Sequence, residues 1–208
     1  MIKVHHLNNS RSQRILWLLE ELALDYEIIF YERDKETRLA PESLKKVHPL
    51  GKSPVLEDGD VKIAESGAIV EYVVRTYGDG KLAPSSETPL YNTYVELLHY
   101  AEGSAMLPLM LGLYVGRLGE AGAPLGPRIK SETVNHLGYL AQVLGENEFF
   151  VGDTFTGADV QLSFVFEAAA AGGALAYFPN LQAYLDRMQA RPAYKKAIER
   201  GGEYRLGA

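Results

Sequence analysis

Cysteine is absent from the 208 residues of this sequence. Its absence excludes disulfides, thiolate metal sites and a thiol nucleophile supplied by the chain itself. Any thiol chemistry carried out by this protein must therefore use a thiol that a ligand brings.

Long apolar runs are also absent, since no stretch approaches the roughly 18 residues of a membrane-spanning helix. Residues 1–6 lack the apolar core of a signal peptide. No basic run is present and the net charge is −6, which argues against nucleic acid as a partner. We therefore expect a cytoplasmic protein with neither a membrane nor a nucleic-acid partner.

Cofactor and metal motifs are missing too. The sequence contains no glycine-rich dinucleotide pattern and no phosphate-binding loop. No His, Asp and Glu residues are spaced as metal ligands. His5 and His6 lie in a predicted strand, where alternation places one of the two inward. We expect no metal and no tightly bound cofactor.

Two kinds of apolar periodicity divide the chain into two predicted domains. Residues 1–79 alternate strand and helix, which predicts an α/β domain with a mixed sheet. Residues 80–89, rich in Gly, Pro and Ser, form the predicted linker, and residues 90–208 show only helical spacing, which predicts an all-α domain. The predicted strands are Ile2–Leu7, Tyr26–Tyr31, Val55–Leu56 and Val61–Ile63, and the predicted helices are 12–24, part of 37–47, 66–77, 90–116 with a kink at Pro108, 128–144, 156–171, 179–191 and 192–200.

Residues 51–72 combine a β-hairpin with the start of a helix. Apolar runs on either side of the turn at 58–60 predict the hairpin, and Pro54 interrupts the ladder where its first strand begins. Ser66 stands where an N-cap is expected. A strand end and a helix N-terminus so close together could hold a small extended peptide that carries a carboxylate. The alternatives are that Ser66 is a plain cap and Lys52 a solvated turn residue.

Ser10 lies between the first predicted strand and the first predicted helix, where a hydroxyl favours a bound thiolate. A free thiol has a pKa of about 8.5, so only about 3% of it is ionised at pH 7. Lowering that pKa by ~2 units requires ~2.7 kcal/mol, and hydrogen bonds to a charged acceptor contribute about 1.5–3 kcal/mol each. Arg11 could add positive charge. The alternative is that Ser10 or Ser12 only caps the helix, and Arg14 is expected to form structural salt bridges.

Three segments, taken together and in order, resemble one protein family. They are Ser10-Arg11-Ser12-Gln13-Arg14 followed by Leu18-Leu19-Glu20-Glu21, then Gly51-Lys52-Ser53-Pro54-Val55-Leu56 followed by Glu65-Ser66-Gly67-Ala68-Ile69, and finally Phe155-Thr156-Gly157-Ala158-Asp159. They are similar to the first turn and helix, the glutathione-binding core and the capping motif of the cytosolic glutathione transferases. The nearest likeness is to bacterial and fungal serine-type, theta-like members, because the beta and omega patterns carry a cysteine in the first turn.

The resemblance implies a fold and an activity. The implied fold is a thioredoxin-like N-terminal domain followed by an all-α domain, usually in a homodimer. The implied enzyme holds its co-substrate glutathione as a thiolate and conjugates it to a hydrophobic electrophile, with glutathione peroxidase as a side activity. The alternatives are a glutathione-dependent isomerase or dehalogenase on the same scaffold, or a non-catalytic glutathione-transferase-like binding protein.

The resemblance also implies roles for single residues. Ser10 would hold the glutathione sulfur, with Arg11 beside it. The peptide bond before Pro54 would be cis, and the backbone of Ser53 would pair with the cysteinyl part of glutathione. Ser66 and its helix N-terminus would hold the γ-glutamyl carboxylate.

The resemblance also implies which side chains contact the two ends of glutathione and the second substrate. Glu65 would meet the γ-glutamyl amine and Lys52 the glycyl carboxylate. His99, Tyr100 and Ser104 would line the electrophile pocket, although the same residues also fit an ordinary helix face.

The homodimer would form near the helix after Ser66 and the start of the long helix. These two segments carry much apolar and aromatic surface, which suits an interface. The residues concerned are Ile69, Tyr72, Val73, Tyr77, Tyr91, Tyr94, Leu97 and Leu98. The alternative is that all of them face the core of their own chain.

Overall fold

The computed structural model describes residues 1–206 of the chain, in two compact units. The first unit comprises Met1–Ala83 and Gln189–Leu206, and the second comprises Pro84–Met188. The division therefore lies within the predicted linker, whereas the last helix, expected in the second domain, belongs to the first unit. Residues 207 and 208 of the predicted second domain lie outside the described part, and the domain limits stay a prediction.

One mixed sheet of four strands lies in the first unit, in the order β2-β1-β3-β4. The strands are β1 (Ile2–Leu7), β2 (Tyr26–Tyr31), β3 (Val55–Asp58) and β4 (Val61–Ala64). β1 runs parallel to β2 and antiparallel to β3, and β3 and β4 form the predicted hairpin. The first strand is thus an inner strand with a neighbour on each side.

The inner position of β1 buries both of its histidines. His5 is 4% exposed and His6 is 2% exposed, so the expectation that alternation places only one of them inward is wrong. His5 Nδ1 lies 3.0 Å from the Tyr31 hydroxyl. His6 Nε2 lies 3.0 Å from the carbonyl oxygen of Gly201. Both faces of this strand are therefore covered within the first unit.

Helices account for the rest of the regular structure. In the first unit, α1 (Ser12–Glu21) and α2 (Ser66–Tyr77) pack on each other and on the sheet. The later helices are α3 (Leu90–Tyr100), α4 (Met106–Gly116), α5 (Gly126–Leu144), α6 (Gly157–Ala171), α7 (Pro179–Ala190) and α8 (Pro192–Gly201). Within residues 1–206, none of the helices is both long and apolar enough to cross a membrane.

The long helix expected at 90–116 is interrupted before Pro108 rather than at it. Residues Ala101–Ala105 form a π-helical turn, in which the Met106 N–H donates to the carbonyl of Ala101, five residues back. A proline has no N–H to offer the carbonyl four residues earlier, here that of Ser104. The wider turn lies where that hydrogen bond is missing, and Pro108 itself sits in the first turn of α4, where proline is tolerated.

A buried carboxylate attaches α8 to α1. Glu20 accepts hydrogen bonds from Lys196 at 2.7 Å, Arg200 at 2.6 Å and the Tyr26 hydroxyl at 2.8 Å. Burial raises the pKa of Glu20, but these three donors outweigh it and hold the pKa below its usual value. The Arg200 guanidinium also lies over the Tyr26 ring, 3.8 Å from its centre. The last helix is thus tied to the first by charge as well as by packing.

The capping box predicted at the start of α6 is present. The Thr156 side chain accepts from the helix, and Asp159 accepts from the Thr156 N–H at 2.8 Å. Asp159 is 0% exposed and has three further donors: the Thr156 hydroxyl at 3.0 Å, the Phe150 N–H at 3.2 Å and the Tyr184 hydroxyl at 2.7 Å. This carboxylate therefore joins the helix start to two other segments of the second unit.

His6 makes stability depend on pH, because burial lowers its pKa to about 4. The unfolded histidine takes up a proton near pH 6.5, so stability is lost as the pH falls from about 6.5 toward 4. At pH 5 this loss should reach about 2 kcal/mol relative to pH 8. His6→Gln keeps an amide donor but does not titrate, so urea unfolding should show a pH dependence smaller by that amount. An unchanged difference between pH 8 and pH 5 would contradict the assignment, and His99→Gln, at an exposed site, is the control.

Asp159→Ala should lower the free energy of unfolding by at least about 3 kcal/mol, because it leaves several buried donors unpaired. This exceeds the ~0.5–2 kcal/mol expected of a cap alone. Asp153→Ala removes a nearby exposed carboxylate and should stay within about 0.5 kcal/mol of the unsubstituted protein. Equal unfolding midpoints for the two variants would show that the Asp159 contacts contribute little.

Candidate active site

Hydroxyl groups take over the hydrogen bonding of β1 where the strand ends at Leu7. The Leu7 N–H lies 3.3 Å from Ser12 Oγ and 3.2 Å from Ser53 Oγ. Ser53 Oγ also donates to the carbonyl of His5 at 2.7 Å. The side chain of Ser53 therefore continues the pairing of β1 beyond Val55, the last β3 residue in register with it.

The peptide bond between Ser53 and Pro54 is cis, as the family resemblance implies. Pro54 is buried and Lys52 is exposed. A β-branched apolar residue is common before this proline in the family that the sequence resembles. Here the residue before the proline is Ser53, and its hydroxyl bonds the backbone of β1. This contact accounts for a serine in place of a β-branched apolar residue.

Ser10 lies in the turn between β1 and α1. Its Oγ accepts from the Ser12 N–H at 3.2 Å and lies 2.8 Å from Ser12 Oγ. Ser10 is 4% exposed and Ser12 is fully buried. Arg11 occupies the cap position of α1, is half-buried, and makes no cap hydrogen bond with its own side chain. Because Ser12 is the first residue of α1, the Ser10 hydroxyl does bond a first-turn amide of the helix, although it lies one residue before the cap position.

Arg33 holds the loop that precedes Ser10, a contact that no sequence pattern indicates. Its guanidinium donates to the carbonyls of Asn8 at 3.2 Å and Asn9 at 3.4 Å. The Arg33 N–H donates in turn to the Asn8 side chain at 2.8 Å. Asn9 has a φ of 50°, in the left-handed region that asparagine tolerates better than most residues. The turn that presents Ser10 is thus fixed from outside the sheet.

The start of α2 differs from the expectation. Ser66 is the first residue of the helix rather than its N-cap, and Glu65 holds the cap position with φ 69° and ψ 114°. Non-glycine residues rarely adopt such a φ, and strained residues concentrate at functional sites. The Glu65 side chain makes no cap hydrogen bond to α2. A helix N-terminus of this kind favours an anion.

The Ser66 hydroxyl accepts a hydrogen bond from Arg14 of α1. The Arg14 Nη1 donates to Ser66 Oγ at 3.1 Å, so the hydroxyl is drawn toward α1. Both residues are buried, at 2% and 3% exposure. The sequence indicates only structural salt bridges for Arg14, and helical spacing gives no sign of a partner 52 residues away. This contact brings a positive charge to the start of α2.

The residues expected in the electrophile pocket lie in the second unit. His99 and Tyr100 end α3, and Ser104 lies in the π-helical turn. The Tyr100 hydroxyl lies 2.6 Å from Nδ1 of His136, which the sequence analysis did not single out. Burial raises the pKa of Tyr100 to about 12, so this hydroxyl stays protonated at neutral pH. Among residues 1–206, no three His, Asp or Glu side chains gather as metal ligands.

Family models match both ends of the chain. The model described as "Glutathione S-transferase, N-terminal domain" matches residues 1–75, and the model described as "Glutathione S-transferase, C-terminal domain" matches residues 127–200. Glutathione S-transferase 3 of Schizosaccharomyces pombe is 36% identical, over 96% of this chain and 88% of the relative. Glutathione S-transferase 1 of Saccharomyces cerevisiae is 34% identical, over 81% of each.

Solved structures agree. A glutathione S-transferase from Actinobacillus pleuropneumoniae has a TM-score of 0.86 and 35% identity, over 97% of this chain and 93% of that one. A glutathione transferase from Phanerochaete chrysosporium, solved with oxidized glutathione, has a TM-score of 0.82 at 22% identity, over 96% and 94%, which shows the fold alone. The expected thioredoxin-like domain with an all-α domain is confirmed. The chain therefore belongs to the glutathione S-transferase family, and it is a glutathione transferase.

Proposed function

We propose that this glutathione transferase binds glutathione between the end of β1 and the start of α2, with Ser10 donating a hydrogen bond to the sulfur. The observation that carries the proposal is the double hydrogen bond to the Leu7 amide. It ties the turn that bears Ser10 to the segment that bears cis-Pro54. The contact thereby holds the Ser10 hydroxyl, which would bind the thiolate, close to the extended backbone that would pair with glutathione.

Several features support Ser10 over its neighbours as the thiol contact. The Ser12 hydroxyl is fully buried and lies 2.8 Å from His6 Nδ1, so it is engaged inside the protein. Ser10 Oγ accepts the Ser12 N–H, which polarises its own O–H as a donor. Arg11 and the N-terminus of α1 add positive potential beside it. The reaction proposed is attack by the glutathione thiolate, which requires neither a metal nor a prosthetic group.

The γ-glutamyl carboxylate would bind at the start of α2. The N-terminus of the helix, the Ser66 hydroxyl and the guanidinium of Arg14 behind it all favour an anion there. Glu65, exposed and held at an unusual φ, would meet the γ-glutamyl amine. The Ser53 backbone would pair with the cysteinyl part, and the exposed Lys52 would meet the glycyl carboxylate.

The second substrate would be a hydrophobic electrophile or a peroxide. We assign its contacts to His99, Tyr100 and Ser104, at the end of α3 and in the π-helical turn. Such turns occur frequently at functional sites, and the protonated Tyr100 hydroxyl could donate to a leaving group. Retention on glutathione-agarose tests glutathione binding, and turnover of an aryl halide at neutral pH tests the activity. A panel of peroxides, haloalkanes and isomerisable substrates then separates conjugation from the alternatives.

Ser10→Ala should raise the pKa of the bound glutathione thiol by about 1–2 units, because one hydrogen bond to the thiolate is lost. Turnover should fall strongly, while the affinity for glutathione changes little. Ultraviolet titration of the thiolate in the complex measures the pKa. Ser163→Ala, a buried serine in the second unit, is the control. An unchanged pKa would remove Ser10 from the mechanism and leave Ser12 or Arg11.

Ser66→Ala should weaken glutathione binding by about 1–3 kcal/mol, because a charged group loses a hydrogen-bond partner. Calorimetry measures the affinity, and the thermal midpoint shows whether the fold is kept. Ser43→Ala changes an exposed serine of the same unit and should bind normally. Wild-type affinity in the Ser66 variant would limit Ser66 to a structural role with Arg14.

The homodimer expected from the resemblance has less support from side chains than the sequence suggests. Five of the eight residues assigned to the interface are buried within their own chain, each at most 5% exposed, and therefore belong to its core. They are Ile69, Val73, Tyr94, Leu97 and Leu98. Tyr72 and Tyr77 are half-buried and both donate to Asp58. The two tyrosines and the half-buried Tyr91 remain as candidates.

We nevertheless propose a twofold homodimer, as is usual in the family. Light scattering at low micromolar concentration should give about twice the chain mass of 23.0 kDa. A stable, active monomer at that concentration would contradict the proposal and leave the site to one chain.

A further inference from the structure

A chain of hydrogen bonds leads inward from Ser10 and ends at the last helix. Ser10 Oγ lies 2.8 Å from Ser12 Oγ, and Ser12 Oγ lies 2.8 Å from His6 Nδ1. On the other side of the ring, His6 Nε2 lies 3.0 Å from the Gly201 carbonyl oxygen. The three side chains are at most 4% exposed, so water does not compete with these bonds.

The chemistry of the end groups fixes the direction of every hydrogen in this chain. A carbonyl oxygen only accepts, so His6 Nε2 carries the ring hydrogen toward Gly201. The buried imidazole is neutral, because its pKa is lowered to about 4, and its Nδ1 therefore only accepts. Ser12 has one hydroxyl hydrogen, and Nδ1 at 2.8 Å is a closer acceptor than the Leu7 carbonyl at 3.3 Å. Since Ser12 donates to His6, the hydrogen between the two serines belongs to Ser10.

The donation of the Ser10 hydrogen to Ser12 affects the protonation of a bound thiol. A neutral thiol can donate to Ser10 Oγ while the Ser10 hydrogen stays on Ser12. A thiolate only accepts, so Ser10 must turn its hydrogen from Ser12 to the sulfur. Ser12 cannot replace that bond by donating to Ser10 unless it leaves His6, and a buried acceptor without a donor is costly. The network therefore favours the protonated form of the ligand.

We propose that Ser12 and His6 are positioning residues that raise the pKa of the bound glutathione thiol by competing with the thiolate for the Ser10 hydrogen. The proposal rests on the proposed role of Ser10, through which both residues act. A thiol with a lower pKa is more ionised but intrinsically less nucleophilic, and the optimum pKa lies near the ambient pH. The network thus keeps the thiolate from being stabilised so far that it loses reactivity.

Two substitutions release the Ser10 hydrogen in different ways. Ser12→Ala removes its inward acceptor, and the Leu7 N–H keeps Ser53 Oγ at 3.2 Å as a partner. His6→Gln leaves an amide nitrogen near the position of Nε2 for Gly201 and no acceptor at the position of Nδ1. Ser12 is then free to donate to Ser10. His6→Asn is the matched control, because it places an oxygen near the position of Nδ1.

The measurement is the thiol pKa of glutathione bound to each full-length variant, by ultraviolet titration of the thiolate at saturating glutathione. One net hydrogen bond corresponds to about half to one pKa unit. The pKa should fall by that amount in Ser12→Ala and His6→Gln and stay at the wild-type value in His6→Asn. The acidic limb of the kcat/KM profile should move to lower pH by the same amount. A purely structural role would change stability without these shifts.

The Ser10→Ala background separates this proposal from the one on which it rests. If Ser12 acts through Ser10, adding Ser12→Ala to Ser10→Ala should leave the thiol pKa of the single variant unchanged. Suppose that the thiol pKa rises in Ser10→Ala but does not fall in either Ser12→Ala or His6→Gln. That result would overturn the competition for the Ser10 hydrogen and keep Ser10 as the thiol contact. A pKa that is unchanged in Ser10→Ala would overturn both. Two variants at different links of the chain keep the test open if one of them fails to fold.

Discussion

The candidate active site depends on how the inner strand β1 ends. At Leu7 the neighbouring strand β3 no longer supplies partners, and the hydroxyls of Ser12 and Ser53 satisfy the backbone instead. One hydroxyl belongs to the first helix and the other to the segment with the cis proline. Because a buried backbone amide needs a partner, the same two contacts that complete the sheet also fix the geometry in which glutathione would bind.

Local pattern was enough for much of the fold. All four strands, the hairpin turn, helix α2 and the capping box of α6 follow from side-chain alternation, helical spacing and N-cap chemistry. The sequence pattern did not predict the structure where tertiary contacts determine it. Spacing cannot show that Pro108 would displace the irregularity into a π-helical turn before it, or that α8 would join the first unit through Glu20. The expected partial helix within 37–47 is only a short 3-10 turn, Glu42–Lys46, because just one of its residues, Leu44, is buried.

In the candidate active site, too, local motifs were predictable from sequence and tertiary contacts were not. Ser10, Ser53, cis-Pro54 and Ser66 could be named from sequence, because their motifs are contiguous. The roles of the residues behind them could not, since Arg14 and Arg33 contact partners that are distant in the chain and His6 is held by Gly201 of the last helix. The second unit shows the extreme case. His136 meets Tyr100 across 36 residues, a contact that no short motif encodes.

A crystal structure of the protein with glutathione would show directly which group holds the sulfur. We expect the sulfur within hydrogen-bond distance of Ser10 Oγ, the γ-glutamyl carboxylate at the first turn of α2, and the cysteinyl backbone paired with Ser53. A sulfur held by another group, with Ser10 Oγ still turned to Ser12 and out of its reach, would contradict the account.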